Sequence, residues 1–265
     1  MEQISSRQNA TVKRFRALAQ SRSGTDVLLE GAHLVEEGLT SGLTFDTVVF
    51  SESAASGRLA FLLSRARQSG ARVAIVTDAV FPAVSPVPHP TGAVAIAHLA
   101  GSTLDAVLGK QPQLVMMVDG VQDPGNVGAI IRAAEACGAT GVIVAGGSAD
   151  PFGWKALRGS MGSTLRLPVA YTDSLIQAVD AAHAAGIRVF AAIPREGTRL
   201  ADCDLRGPSA VILGGEGPGL SDPLLKRTDQ RLTIPMQHPV ESLNVAVAAA
   251  IVLYEAARQR TDVAV

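Results

Sequence analysis

The chain has 265 residues, of which 47% are hydrophobic, 18% charged and only 4% aromatic, and its formal net charge is −1. This balance excludes a disordered chain, and the length leaves room for two domains. It also excludes a uniformly basic nucleic-acid binder, so any contact with phosphates has to come from a local patch. The opening segment predicts a helix carrying Arg7, Lys13, Arg14, Arg16 and Arg22, with only Glu2 as a nearby acid. Such a run is either a nucleic-acid contact or a solvated helix face. It lacks the apolar core of a signal peptide.

Strands are then expected at 27–29, 47–50 and 72–76, with helices at 31–39 and 59–68 between them. The proline-rich stretch 84–90 reads as a stiff connection before one more strand at 93–97. After a polar passage, the unbroken apolar run 114–118 has the character of a strand covered on both faces of a parallel sheet. Further apolar runs at 141–145, 188–193 and 210–213 alternate with helical patterns at 129–136 and 175–185. Alternation of this kind predicts an α/β fold with a parallel sheet under helices. A last helix over 242–258 is apolar nearly all round its first half, as expected of a helix buried in the core or against another subunit. The expected domains are 1–105 and 106–265. The stretch 245–253 is too short to span a bilayer, Cys137 and Cys203 have no metal-site spacing, and a cytoplasmic protein without membrane or metal is expected.

In an open α/β sheet the ligand crevice lies beyond the carboxyl ends of the strands. Three segments stand there. The first, Asp119 to Arg132, is a turn rich in Gly, Pro and Asp that leads into a helix carrying Asn126 and Arg132. The second is Leu213-Gly214-Gly215-Glu216-Gly217-Pro218-Gly219-Leu220-Ser221, and the third runs from Ile234 through Met236 to Ser242, Leu243 and Asn244. The glycine-rich loop fits neither the dinucleotide fingerprint nor the P-loop. Taken alone it is either a tight turn or a cofactor loop whose bare backbone admits a flat ligand.

In combination the three segments resemble the motifs of the SpoU (TrmH-like) family of RNA 2′-O-methyltransferases: N-x-G-x-x-x-R, then G-G-E-x-x-G-L, then I-P-M with S-L-N-V. The likeness runs from Leu114 to Arg258 and includes Lys155-Ala-Leu-Arg158-Gly-Ser160-Met-Gly162. Ser6, Asn9, Lys13 and Leu28-Leu29-Glu30-Gly31 are more loosely similar to the substrate-binding domain of ribosomal-RNA members, a fold akin to ribosomal protein L30e. The resemblance implies a deep trefoil α/β knot (SPOUT), a smaller L30e-like N-terminal domain, and a homodimer formed through the knotted domain. It implies S-adenosylmethionine as cofactor and RNA as partner, with rRNA favoured over tRNA.

By the same resemblance, Gly214, Gly215, Glu216, Gly219, Ile234, Met236, Ser242, Leu243 and Asn244 would hold the cofactor. Arg132, Asn126, Glu216, Ser242 and Asn244 would form the catalytic set, and Arg7, Asn9, Lys13, Arg14 and Arg158 would contact RNA. A guanidinium scarcely deprotonates, so Arg132 is read as a holder of phosphate or of a developing alkoxide rather than as a general base. Ser242 and Asn126 could equally be helix caps, while Asn244, placed inside the last helix, invites a functional reading. For Trp154, Arg158 and Arg166, RNA contact and ordinary packing stay open. The competing functions are a tRNA methyltransferase, a non-catalytic ribosome-assembly factor on the same fold, and a nicotinamide oxidoreductase, the last disfavoured by the missing glycine fingerprint.

Overall fold

Short strands rich in Val, Ile and Ala build the first unit of the computed structural model, which describes residues 1–22, 24–111, 113–215 and 219–261. In chain order this unit contains β1 (Glu2–Ile4), α1 (Ala10–Gln20), β2 (Asp26–Glu30), α2 (Ala32–Thr40), β3 (Thr44–Ser51), α3 (Glu52–Ser56), α4 (Ala60–Gln68), β4 (Arg72–Val76) and β5 (Ala93–His98). The sheet order is β1-β4-β3-β5-β2; β1, β4 and β3 run parallel, and β5 is antiparallel to β3 and β2. Asn9 starts α1 as its N-cap, accepting the Thr11 N–H at 2.8 Å. The helix then buries Val12 and Phe15 against Leu28, Val49 and Ile96 of the sheet.

The second unit contains α5 (Leu104–Leu108), β6 (Leu114–Asp119), α6 (Pro124–Ala136) and β7 (Gly141–Ala145). After the helix α7 (Trp154–Ser160) it continues with β8 (Val169–Thr172), α8 (Leu175–Ala184), β9 (Arg188–Ala192), β10 (Thr198–Arg199), β11 (Ser209–Gly214), α9 (Asp222–Leu225), β12 (Gln230–Thr233) and α10 (Val245–Thr261). Its seven strands are all parallel, in the order β10-β12-β9-β11-β6-β7-β8. All six residues of β6 except Asp119 are buried, because helices cover both sheet faces. No helix among the described residues is long and apolar enough to cross a membrane.

The units divide between Ala100 and Gly101, and the segment Phe152–Arg166, with α7, belongs to the first. There the Trp154 indole N–H donates to the Ala19 carbonyl at 3.1 Å, and Arg166 pairs with Glu37. This segment carries basic side chains but no acid, so the first unit holds 12 Lys and Arg against 8 Asp and Glu, a net +4. The second unit has 11 against 16, a net −5. The near-neutral total therefore conceals a basic unit.

Two helix starts differ from expectation. Helix α6 begins at Pro124, five residues before the apolar periodicity becomes visible, with Asp123 as its cap accepting the Asn126 N–H at 2.9 Å. Proline at the first helical position needs no partner for its missing N–H, while Gly125 and Gly128 dilute the apolar pattern. Helix α10 begins at Val245 rather than at 242. Its cap is Asn244, whose Oδ1 accepts the N–H groups of Ala246 and Val247 at 2.9 and 3.3 Å. Capping thus falls to Asp123 and Asn244 rather than to Asn126 and Ser242.

At its other end α10 is fastened by main-chain acceptors. Arg260 donates to the carbonyls of Gln113, Leu205 and Gly207 at 2.9, 2.9 and 2.7 Å. Gln259 donates to the Cys203 carbonyl at 2.9 Å and accepts the Leu205 N–H at 2.8 Å. Burial lowers the pKa of Arg260; its hydrogen-bond partners among the described residues are carbonyl oxygens.

Candidate active site

Strands β6, β9, β11 and β12 all point their carboxyl ends toward one side of the second sheet, and the loops that follow them meet there. Where β11 leaves the sheet beside β6, the Gly215 N–H donates to the Asp119 carbonyl at 2.7 Å. The approach is so close that a Cβ on Gly215 would overlap the Gly120 carbonyl and lie 2.9 Å from the Val121 nitrogen. Gly214 is held almost as tightly, with a Cβ position 3.1 Å from the backbone of Gly219 and Leu220. Bare backbone is therefore a requirement at this crossing, whatever the loops bind.

Beside it lies a pocket of about 290 Å³. Gly214, Gly215 and Gly219 form one wall, Ile234 and Met236 the second, and Ser242 and Leu243 the third. Sequence analysis draws these seven residues from the second and third of its three segments, and one cavity brings them together. It missed Ala192, which ends β9, Ile193 and Pro194, which follow it, and Val245 and Ala248 at the start of α10. The crevice rule applied to the 188–193 run would have found the first three. Val245 closes the S-L-N-V motif but is not singled out as a site residue, and Ala248 looks like ordinary helix core in sequence and gives no signal.

Asn244 is not on the wall but adjoins it. While its Oδ1 caps α10, its amide Nδ2 donates to Asn126 Oδ1 at 3.1 Å, tying the last motif to the first across 118 residues of chain. Arg132 lies further along α6, exposed, and makes no hydrogen bond or ion pair among the described residues. Glu216 lies outside the described residues. Asp119, at the end of β6, is half-buried, and desolvation raises its carboxyl pKa.

The residues expected at RNA lie in the first unit and separate into two groups. Asn9 caps α1 and donates to Glu2 at 3.4 Å. Arg14 bridges Asp26 and Asp46 at 3.1 and 2.6 Å, so its charge is already balanced by two carboxylates. Arg7, Lys13 and Arg158 are exposed; Arg158 Nε stands 3.8 Å from Glu30, whose pKa is raised by burial. Trp154 is partly buried and its indole N–H is taken by the Ala19 carbonyl.

An all-parallel sheet whose carboxyl-end loops form an apolar cleft edged with free main chain defines a domain for a flat, partly apolar ligand, joined in one chain to a small basic α/β unit. Residues 113–254 match the model of the SpoU rRNA methylase family, and residues 9–95 match that of the MRM3-like substrate binding domain. The chain belongs to the SpoU rRNA methylase family.

It is 35% identical over 97% of its length to an uncharacterized tRNA/rRNA methyltransferase of Synechocystis, covering 94% of that protein. It is 34% identical over 96% of its length to the 23S rRNA (guanosine(2553)-2′-O)-methyltransferase RlmP of Bacillus subtilis, covering 98% of it. The crystal structure of the SpoU methyltransferase AviRb from Streptomyces viridochromogenes in complex with AdoMet superimposes with a TM-score of 0.87 at 29% identity, covering 96% of this chain and 99% of that one. The second unit thus has the SpoU methyltransferase (SPOUT) fold, with a smaller substrate-binding domain ahead of it.

Proposed function

We propose that this protein transfers a methyl group from S-adenosylmethionine to a ribose 2′-hydroxyl of ribosomal RNA. The observation that carries the reading is the convergence of Gly214, Gly215, Gly219, Ile234, Met236, Ser242 and Leu243 on one pocket, with Asn126 joined to Asn244 at its edge. The pocket suits the cofactor chemically. Ile234, Met236 and Leu243 offer apolar walls to an adenine ring, and main-chain groups freed by glycine offer the donors and acceptors its edge requires. When bound, S-adenosylmethionine supplies an electrophilic methyl group on a sulfonium.

The chain's own residues do the rest. The Asn126–Asn244 pair fixes the start of α10 against α6, which holds the Ser242–Leu243 wall in place. Arg132, exposed and unpaired among the described residues, supplies a permanent positive charge for a backbone phosphate or for the oxygen that loses its proton. Orientation of two bound reactants accounts for much of the acceleration in such a transfer. The basic first unit, through Arg7, Lys13 and Arg158, supports RNA as the substrate, and the Bacillus relative supports rRNA over tRNA. Val247, Ile251 and Tyr254, at 49%, 37% and 67% exposure, form an apolar stripe on α10 that supports a homodimer through the second unit.

Ribose-methylation mapping of rRNA and tRNA from cells with and without the gene tests the reading. One rRNA 2′-O-methyl mark should vanish; loss of a tRNA mark instead, or of none, refutes it. Calorimetry should find S-adenosylmethionine bound and NAD not, and sedimentation should give a dimer.

A further inference from the structure

Outside the cofactor pocket the first unit contains a second concavity that the sequence motifs do not announce. It measures about 310 Å³ and lies between α1 and the proline-rich segment, with Arg7, Arg16, Ala19, Pro82, Ser85 and Pro86 around it. Arg7 and Arg16 both line this cavity, and among the described residues no carboxylate does. Arg7 spends one N–H on the Ala79 carbonyl, at 3.3 Å, and so is held in place with most of its donors unspent. Arg16 makes no hydrogen bond or ion pair among the described residues. This contrasts with Arg14, two residues away, whose charge is balanced by Asp26 and Asp46.

The opposite rim is stiff. Pro82 and Pro86 have no N–H and fix the local backbone, and the residues of this wall carry no charge. The buried Ser85 hydroxyl is turned inward, donating to Glu30 at 3.2 Å. The Glu30 carboxylate behind it faces Arg158. An anion entering the cavity would meet two fork-shaped cations and no exposed acid.

We propose that this pocket is a backbone-phosphate site, at which Arg7 and Arg16 hold a phosphodiester of the RNA and set its register on the first unit. The assignment rests on the RNA reading given above and adds Arg16 to the binding face in place of Arg14. A contact of this kind positions RNA without reading its sequence.

The test is fluorescence anisotropy of the full chain with two fluorescein-labelled RNA hairpins of unrelated sequence, over a series of NaCl concentrations. Each phosphate contact contributes about 0.7 to 0.9 to the slope of log affinity against log salt. Arg16→Gln and Arg7→Gln should each lower that slope by about 0.8 and weaken both hairpins equally, with the double variant losing about twice as much. Arg16→Lys should keep most of the slope, and thermal midpoints should match the parent.

If the parent binds both hairpins and the double variant keeps its slope, the pocket assignment fails while the RNA reading stands. If the parent binds neither hairpin, both fall. AMP is the remaining source of the same chemistry: saturable binding of AMP to the parent, lost in Arg16→Gln and competing with neither hairpin, would give the pocket to a free nucleotide and overturn the proposal.

Discussion

Replacing Gly215 with alanine would place a methyl group inside the Gly120 carbonyl and 2.9 Å from the Val121 nitrogen. All of these are backbone atoms, so no side chain can rotate away and the two loops have to separate. Overpacking of this kind costs about 1–3 kcal/mol. Separation also breaks the 2.7 Å hydrogen bond from Gly215 to Asp119, worth about 0.5–1.5 kcal/mol. The sum, about 2–4 kcal/mol, should lower the thermal midpoint by roughly 5–15 °C in a unit of this size. Because Gly215 also lines the pocket, S-adenosylmethionine affinity measured by calorimetry should fall at least about tenfold, the equivalent of about 1.4 kcal/mol. Gly219→Ala is the matched control: a Cβ there meets nothing within 4 Å, and only its φ of +71° is unfavourable, a strain of about 1–2 kcal/mol. If Gly215→Ala kept both midpoint and affinity, or proved milder than Gly219→Ala, the steric argument for the crossing would be wrong.

Arg132→Ala should leave folding and S-adenosylmethionine affinity unchanged while lowering the methylation rate about 100-fold or more, as for loss of a charge-stabilising donor; a full rRNA mark in cells carrying it would remove Arg132 from the reaction. Asn244→Ala loses a helix cap worth about 1 kcal/mol and the bond to Asn126, so denaturant unfolding should show a loss of about 1.5–2.5 kcal/mol, and Asn244→Asp should restore the cap alone. Burial raises the Asp119 pKa, so its charged form is penalised in the fold. Folded chains then bind that proton more readily than unfolded ones, and acidification through the raised pKa relieves the penalty. Asp119→Asn should therefore stabilise the protein at pH 7, with the gain shrinking as pH falls toward the ordinary carboxylate range; a gain independent of pH would assign the effect to something other than ionisation.

The alternation of elements and the three motif segments were readable because both are written locally, in apolar runs and in short polar spacings. The strands that went unseen are β1, β8, β10 and β12, none longer than four residues, too short for any period to emerge. Helix α7 escaped because its seven residues, with a glycine among them, carry no apolar repeat. The site was legible as a set of residues but not as a set of jobs. Asn244 reads in sequence as an internal helix residue of unexplained polarity; in the fold it is the cap and the bridge at once. Arg14 and Arg16 look interchangeable on a basic helix, and only the distant acids Asp26 and Asp46 separate them. Long-range pairing of that kind leaves no trace in spacing.

The fastening of α10 bears on how this enzyme is put together. Val245 and Ala248 belong to the pocket wall, so a chain in which that helix has not yet docked offers the cofactor an incomplete receptacle. Thermodynamic reciprocity then makes the small molecule a clasp. At a hundred times its dissociation constant it would add about 2.7 kcal/mol to the docked state, and amide hydrogens in the first turns of the helix should exchange correspondingly more slowly. Cells short of methyl donor would thus hold a population whose closing segment opens more often, coupling the metabolic supply of the reaction to the lifetime of its catalyst.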